Sequence, residues 1–220
     1  MSDAQLSSSD SPLATEPAVA ARKRPKPGER RVQILEALAT MLEQPGAERI
    51  TTAALAARLE VSEAALYRHF ASKAQMFEGL IEFIEQSVFT LVNQIMEREP
   101  AAGQDEAADA GVRQAAKIVA MLLQFAEKNP GMTRVMVGDA LVFENDRLTQ
   151  RMNQFFDKIE STLKQSLRSA AEGSGTPSVD AQVRASLLTA FVVGRLQRFA
   201  RSGFKRAPSE HLEASLARML

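Results

Sequence analysis

Residues 62–70, with the sequence SEAALYRHF, place one aromatic and two basic side chains at the end of a short predicted helix. Ser62 stands at the expected N-cap, because its hydroxyl can accept a hydrogen bond from a backbone N–H of the first turn. The phenol of Tyr67, the guanidinium of Arg68 and the imidazole N–H of His69 can all donate hydrogen bonds to phosphate oxygens. This chemistry suits a surface that binds a nucleic-acid backbone.

The preceding residues complete a helix-turn-helix pattern. Ala56 is small enough for two helices to cross closely, and Val61 places an apolar side chain in the core just before the Ser62 cap. The second helix of such a pair presents its outward residues to the major groove of DNA. Ala64 and Ala65 would let its backbone come close to the bases.

Further phosphate contacts are expected on both sides of this helix. Hydroxyls and backbone N–H groups at the start of the first helix of the pair can meet phosphate, and a lysine follows at the start of the next helix. Singly, Tyr67 is better explained as a core-edge aromatic and His69 as a capped surface histidine, but their order favours the DNA-binding interpretation. The predicted DNA-binding residues are Thr51, Thr52, Ser62, Ala64, Ala65, Tyr67, Arg68, His69 and Lys73.

Helices are expected to position these residues. Apolar side chains recur at spacings of three and four along nearly the whole chain, which is the pattern of amphipathic α-helices. The first predicted helix ends at the QPG of residues 44–46, and Thr51 or Thr52, Ser62 and Ser72 cap the next three. The fourth runs to about residue 99, its stripe formed by Phe77, Ile81, Ile84, Val88, Leu91 and Ile95. Residues 100–111 are expected to form a loop or the frayed start of the fifth helix. Five more helices follow, over about residues 112–128, 132–137, 144–171, 179–201 and 210–220. The sequence predicts an all-α fold.

Composition narrows the classes of function. The 220 residues include no cysteine and two histidines, His69 and His211, so neither disulfides nor a thiolate metal site is expected. The chain has no Ser/His/Asp set and no glycine-rich phosphate loop, and carboxylates such as Asp139 and Glu144 are usually solvated. An enzyme, a cofactor and a metal are therefore not expected, and a purely structural adaptor would leave the helix-turn-helix unexplained.

Charge is unevenly distributed. Formal net charge is zero, but residues 22–31 carry six basic side chains and one acidic one. This run suits an anionic partner such as DNA equally well as it suits a solvated disordered tail. Since no apolar run reaches the roughly 18 residues of a membrane span and the N-terminus has no apolar signal region, we expect a cytoplasmic protein.

Residues 50–85 resemble the TetR family, whose signature ends in tyrosine, a variable residue and His-Phe, a few residues before a lysine. The resemblance implies an all-helical dimer, TetR-like in fold, with a helix-turn-helix three-helix domain and a C-terminal helical dimerisation domain. We expect a disordered tail over residues 1–28, the DNA-binding domain over 29–75 and the dimerisation and partner-binding domain over 76–220. Glu60 replaces the usual turn glycine, and a left-handed backbone there would cost roughly 1 kcal/mol.

The second half, including residues 129–156 and 198–208, resembles the nucleoid occlusion factors of the TetR family. That resemblance implies a dimer on palindromic chromosomal DNA that binds FtsZ, blocks Z-ring assembly and septum formation, and stays with the nucleoid. The alternative is a TetR-type transcriptional repressor released by a small molecule. A cavity for such a ligand would be lined by Met132, Met136, Phe143, Met152, Phe155 and Phe156, which are better explained as core residues.

Two partner surfaces are expected. An apolar stripe on the eighth helix includes Val183 and the predicted dimer-interface residues Leu187, Leu188, Phe191, Val192, Leu196 and Phe199. Phe83 lies about 120° away from the apolar stripe of the fourth helix, and it could instead pack on the first helix. The resemblance places the FtsZ tail between helices four and five, with Phe83, Lys117, Met121, Gln124 and Lys128 as the predicted FtsZ-binding residues.

Overall fold

The computed structural model describes residues 28–44, 50–98, 104–171 and 176–220, and these ranges contain helices and no strands. The predicted all-α fold is confirmed. Residues 1–27, which include residues 22–27 of the basic run and most of the predicted N-terminal tail, lie outside the described residues. The helices are α1 (Glu29–Leu42), α2 (Thr52–Arg58), α3 (Glu63–Tyr67), α4 (Lys73–Arg98), α5 (Gln104–Lys128), α6 (Pro130–Met136), α7 (Asp146–Leu167), α8 (Pro177–Arg201) and α9 (Leu212–Met219), with 3₁₀ turns at Asp139–Leu141 and Ser169–Ala171.

Side-chain caps fix where several of these helices begin. Thr51 accepts a hydrogen bond from the Ala54 N–H at 3.1 Å, and Ser62 accepts one from the Ala65 N–H at 3.3 Å. Ser72 accepts from the Gln75 N–H at 3.2 Å before α4. The prediction of these caps is confirmed, because a side-chain oxygen satisfies an amide that the first turn leaves without a partner.

The core lies around α5, which packs against α4, α7 and α8. Its side chains Ile118, Val119 and Leu122 are fully buried, as are Phe155 of α7 and Leu196 of α8. The α1–α3 end joins this body through α4 and through α6, which packs against α1. The expected domain boundary after residue 75 falls inside α4 and stays a prediction.

Two glycines allow backbones to touch. A Cβ placed on Gly131 at the start of α6 would lie 1.9 Å from the carbonyl oxygen of Ala39 in α1. A Cβ on Gly111 of α5 would lie 2.0 Å from the carbonyl oxygen of Ser166 in α7. Neither contact can accommodate a side chain. Gly131 therefore sets how closely α6 packs against α1, and Gly111 sets how closely α5 packs against α7.

Ion pairs join α4 to α7. Arg151 reaches Glu85 at 2.7 Å, and Arg147 reaches Glu78 at 2.6 Å. The hydrogen bond from Arg151 to the Glu85 carboxylate raises the pKa of Arg151 above its ordinary value, against the opposing effect of burial. The long helix α4, which leaves the α1–α3 end, is thus fixed to the body by charged as well as apolar contacts.

Some predicted details were wrong. Leu91 is partly exposed and Val92 is buried in its place, because a 3.6-residue period drifts around the helix over several turns. Helix α3 ends at Tyr67 rather than near residue 70, where the chain turns to bury Phe70. Helix α7 is shorter than expected, with a 3₁₀ turn after it. Helix α5 begins at Gln104, which agrees with the expected helix start, rather than a loop, within residues 100–111.

Candidate nucleic-acid interface

Helices α2 and α3 form the predicted helix-turn-helix. The Val61 N–H donates to the Ala56 carbonyl at 3.0 Å across the turn, and Ala56 is buried at the crossing. Glu60 has a φ of 54°, so the left-handed conformation expected at this turn is present in a residue with a side chain. Leu66 is buried beneath α3, which fixes the opposite face of that helix toward solvent.

The outward face of α3 carries the predicted contact residues. Ala64, Arg68 and His69 are exposed, Ala65 is half-buried and Tyr67 is 45% exposed. The two alanines have short side chains that project little from the helix, and the larger polar side chains lie at and just after its C-terminal end. This arrangement lets the helix backbone approach the floor of a groove while its end contacts the groove edge.

A hydrogen-bonded chain joins the two helices of the pair. The Tyr67 hydroxyl donates to Thr52 Oγ1 at 3.4 Å, and the Thr52 hydroxyl donates to the Glu63 carboxylate at 2.5 Å. Thr51 is exposed beside them. Three predicted contact residues therefore lie together at one end of the pair, and Glu63, which the sequence prediction missed, orients two of them.

Arg31 of α1 supports the end of α3. Its Nη1 donates to the His69 carbonyl at 3.2 Å, and its guanidinium lies 4.2 Å from the ring centroid of Phe70. The sequence placed Arg31 only at the end of the basic run. The structure gives it a second role, because it fixes the carbonyl beside the predicted phosphate donors.

Lys73, the first residue of α4, has a partner in the body of the molecule. Its Nζ lies 2.5 Å from Glu144 Oε1, in the segment before α7. The Lys73 side chain is 30% exposed, compared with 9% for Glu144. No sequence pattern linked these two residues.

A second surface lies around Phe83, which is 42% exposed. We call it the Phe83 groove; it has a volume of about 250 Å³ and is lined by Val32, Leu35, Glu36, Leu80, Phe83, Asn129 and Met132. It lies where α1, α4 and the α5–α6 junction meet, so Phe83 does lie beside the first helix. Of the other predicted FtsZ-binding residues, Lys117, Gln124 and Lys128 are exposed on α5 and Met121 is half-buried. Lys128 directly precedes Asn129 of the groove.

The predicted stripe on α8 divides into two faces. Leu188, Val192, Leu196 and Phe199 are buried within the single chain and have almost no surface to offer a second copy. The interface prediction is corrected for these four residues, because apolar spacing does not distinguish a core face from an exposed one. Leu187 is 57% exposed and Phe191 is half-buried; they belong to an outward face with Val179 and Val183, both also exposed.

The residues proposed for a small-molecule cavity do not surround one closed space. Met136, Met152 and Phe156 line an open cleft of about 470 Å³ between α6, α7 and α8. Phe155 is buried in the core and Phe143 is exposed. Within the described ranges, no group of three or more side chains could hold a metal ion, and no helix has the length and apolarity needed to cross a membrane.

Two family models match the chain. Residues 34–80 match the model described as bacterial regulatory proteins, tetR family, and residues 109–219 match a SlmA-like model described as tetracyclin repressor-like, C-terminal domain. The first match contains the α2–α3 pair, and the second contains α7 and α8.

Known proteins agree with both matches. The chain is 51% identical over 84% of its length to nucleoid occlusion factor SlmA of Idiomarina loihiensis, covering 90% of that protein. It is 52% identical over 83% of its length to the same factor of Shewanella pealeana, covering 88% of it. A TetR-family transcriptional regulator from Bordetella parapertussis shares the fold, with a TM-score of 0.60 and 15% identity over 88% of this chain and 95% of that one. The chain therefore belongs to the SlmA nucleoid occlusion factors of the TetR family, which are DNA-binding regulators and not enzymes.

Proposed function

We propose that the chain is a nucleoid occlusion factor in the full sense. As a dimer on palindromic chromosomal sites, it binds FtsZ and blocks Z-ring assembly and septum formation over the nucleoid, within the cytoplasm. The observation that carries the proposal is the outward face of α3, where small side chains and phosphate donors stand on a helix-turn-helix. Relatives named for nucleoid occlusion supply the biological setting.

The proposed DNA contacts divide into two groups. Ala64 and Ala65, with Ser62 at the helix start, face the base edges and the groove floor. Thr51, Thr52, Tyr67, Arg68, His69 and Lys73 bind phosphates on either side. Base contacts carry the sequence preference, whereas phosphate contacts fix the position of the helix without reading sequence.

The dimer follows from the outward face of α8. Val179, Val183, Leu187 and Phe191 recur every fourth residue, so they form one line along the helix. Exposed apolar lines of this length are uncommon on a surface that meets only water. A second copy related by a two-fold axis would cover the line with itself and present two α3 helices to a palindrome.

The FtsZ partner is assigned to the Phe83 groove and the adjoining face of α5. The groove offers an apolar floor from Leu80 and Phe83 of α4 and Met132 of α6. Lys117 and Lys128 place positive charge on the exposed face of α5. A short peptide with apolar anchors and acidic side chains is complementary to this combination, and we propose that the FtsZ C-terminal tail is that peptide.

Genome-wide mapping of bound DNA tests the DNA half of the proposal. We expect many dispersed palindromic sites for the wild-type chain and none for Ala64→Glu, because a carboxylate on the exposed face of α3 would be both bulky and repelled by DNA. The variant's thermal unfolding serves as the control for folding. Binding at a single site beside the chain's own gene would instead favour a local repressor.

Peptide binding tests the partner half. A labelled FtsZ tail peptide should bind the wild-type chain, and Phe83→Ala or Lys128→Asp should weaken binding at least tenfold while leaving affinity for palindromic DNA nearly unchanged. Gln94→Asp, an exposed change elsewhere on α4, controls for added negative charge. Unchanged peptide affinity in both folded groove variants would remove this assignment.

The second candidate is a TetR-type repressor released by a small molecule, and the cleft between α6, α7 and α8 is the observation that favours it. Its lining mixes Met136, Met152 and Phe156 with polar residues such as Asn153 and Gln197. A ligand in this cleft should raise the unfolding temperature and lower DNA affinity together. A screen that finds no such compound, combined with many dispersed sites, favours nucleoid occlusion.

A further inference from the structure

Lys73, a proposed phosphate-binding residue, is paired with a carboxylate from another part of the molecule. Its Nζ lies 2.5 Å from Glu144 Oε1. Lys73 begins α4 next to the helix-turn-helix, whereas Glu144 lies between the 3₁₀ turn and α7. The pair thus connects the DNA-binding end to the body at the residue that would meet DNA.

Glu144 is held by its own local structure. Its N–H donates to the Leu141 carbonyl at 2.9 Å, and Asn145, which follows it, caps α7 by accepting from the Arg147 N–H at 3.0 Å. The Glu144 side chain is only 9% exposed, compared with 30% for Lys73. The carboxylate is therefore the fixed member of the pair, and the ammonium is the member that can move toward solvent.

Electrostatics decides whether this carboxylate helps or hinders DNA binding. Coulomb energy is inversely proportional to distance. A phosphate in contact with the Lys73 ammonium is roughly twice as far from the Glu144 carboxylate, so repulsion by the carboxylate cancels about half of the attraction to the ammonium. If Lys73 instead swings away to meet the phosphate, a largely buried carboxylate loses its partner. Both routes reduce the gain from the lysine–phosphate contact.

The opposing effect is orientation. Glu144 holds the lysine side chain near one geometry and so reduces the entropy lost when DNA binds. A flexible lysine can reach a phosphate in many geometries, because its ammonium acts as a point charge. The gain in DNA affinity from a pre-oriented lysine is therefore smaller than the loss of affinity from the charge that the carboxylate cancels.

We propose that Glu144 sets the DNA affinity of the chain by restraining Lys73, and that DNA binding exchanges the carboxylate for a phosphate. The inference rests on the proposed contact between Lys73 and DNA. Glu144 itself touches no DNA; it acts through the lysine, and it makes each binding event break an ion pair between the DNA-binding end and the body.

The test compares Glu144→Gln with the wild-type chain on a palindromic and a random duplex over a series of salt concentrations. Affinity should rise about three- to tenfold at low salt on both duplexes, because phosphate contacts carry no sequence information. The slope of log affinity against log salt should steepen by up to about 0.9, the value for one added phosphate contact. Glu144→Met, which replaces the carboxylate with an apolar chain of similar length, should act in the same direction if Glu144→Gln folds poorly.

Two comparisons isolate the pair. In a Lys73→Ala background, Glu144→Gln should change affinity less than twofold, since the two residues would act through one contact. Glu78→Gln breaks a matched ion pair with Arg147 on the same α4–α7 seam and should leave DNA affinity unchanged.

Three results would overturn the proposal. Weaker DNA binding by folded Glu144→Gln would mean that Glu144 helps binding by orienting Lys73. Unchanged DNA binding by Glu144→Gln, or an equal gain in the Lys73→Ala background, would show that Glu144 does not act through Lys73. The random duplex keeps this test separate from the proposed function. If the wild-type chain shows no preference for palindromes, the proposed function fails while the effect of Glu144 is still measured on random DNA.

Discussion

At the scale of single residues, the proposed DNA contacts are a few polar side chains held at the ends of short helices. Thr51 and Ser62 each use the hydroxyl to cap a helix, and a capping hydroxyl that accepts one hydrogen bond can still donate another. Tyr67, Thr52 and Glu63 are joined by hydrogen bonds, so two of the proposed contact residues are oriented in the absence of DNA. This pre-orientation lowers the ordering cost of binding.

Removing single phosphate donors should weaken DNA binding without changing sequence preference. We expect Thr51→Ala, Tyr67→Ala and Lys73→Ala each to lower affinity for palindromic and random duplexes by similar factors. Lys73→Ala should also reduce the slope of log affinity against log salt, by less than the value of about 1 for a full phosphate contact, because Glu144 offsets part of the lysine charge. Fluorescence anisotropy at several salt concentrations measures both quantities, and a loss confined to the palindrome would assign the residue to base contact.

Glu60 should carry a backbone cost that glycine would relieve. Its φ of 54° lies in the left-handed region, where a side chain costs about 1 kcal/mol. Glu60→Gly should therefore raise the free energy of unfolding by up to about 1 kcal/mol, whereas Glu60→Ala should not. Urea denaturation of the wild-type chain, Glu60→Gly and Glu60→Ala measures these free energies of unfolding. Equal values for Glu60→Gly and Glu60→Ala would show that the turn is not strained.

The caps were predictable from the sequence because a hydroxyl residue before an apolar-periodic segment acts locally. The partner of Lys73 was not, because Glu144 is distant in sequence and no periodicity links the two. Arg31 was visible only as part of a basic run, and its contact with the His69 carbonyl depends on where α1 lies relative to the residues that follow α3. Residue types thus led to a proposed interface, whereas the contacts that orient its side chains could be found only from the fold.

At the scale of helices, the packing of α6 against α1 connects the DNA-binding end, α1–α3, to the body. Gly131 allows this approach, since a Cβ there would lie 1.9 Å from the Ala39 carbonyl oxygen. The same junction forms one side of the Phe83 groove, through Asn129 and Met132. A change in this packing would therefore reach both proposed binding surfaces.

Gly131→Ala should destabilise the chain by at least 1–3 kcal/mol, the usual range for overpacking, because the carbonyl of Ala39 would have to move. Gly194→Ala on α8 is the matched control: apart from its chain neighbours and the nearby backbone of its own helix, no atom of the described residues lies within 4 Å of the added methyl group. It should be neutral or stabilise the helix by up to about 1 kcal/mol. Thermal unfolding compares the two, and equal effects would contradict the close contact of α1 and α6.

Helix number and order were largely predictable, since nearly every segment has apolar spacings of three and four. Which faces of the long helices are buried was less predictable. The exchange of Leu91 for Val92 on α4 shows the drift of the period, and α8 has apolar residues on both of its faces. A sequence pattern reports that a side chain is apolar, but only the positions of the neighbouring helices decide which of those side chains are covered.

At the scale of the whole molecule, the chain has three separate surfaces: the outward face of α3, the Phe83 groove and the outward face of α8. Arg151 and Glu85 help to fix α4, which begins beside the first surface and contributes Phe83 to the second. We propose that these surfaces serve DNA, FtsZ and a second copy. Their separation makes it possible to disable each one alone.

The dimer prediction belongs to this scale. Leu187→Glu places a charge in the middle of the outward α8 line and should convert the protein to monomers while leaving the helical content unchanged. Val142→Glu, a similar change at an exposed apolar residue outside α8, is the control and should remain dimeric. Sedimentation velocity at micromolar concentration measures the outcome, and a monomeric wild-type chain would remove the prediction.

The measurement that tests the central claim most directly is the assembly of purified FtsZ, followed by light scattering, in the presence of the chain bound to a palindromic duplex. We predict that the wild-type chain on DNA suppresses assembly and that Phe83→Ala, bound equally well to the same duplex, does not. Ala64→Glu, which should not bind the duplex, separates the contribution of DNA. Normal FtsZ assembly with the wild-type chain saturating the duplex would contradict the proposal that this DNA-binding regulator acts on cell division.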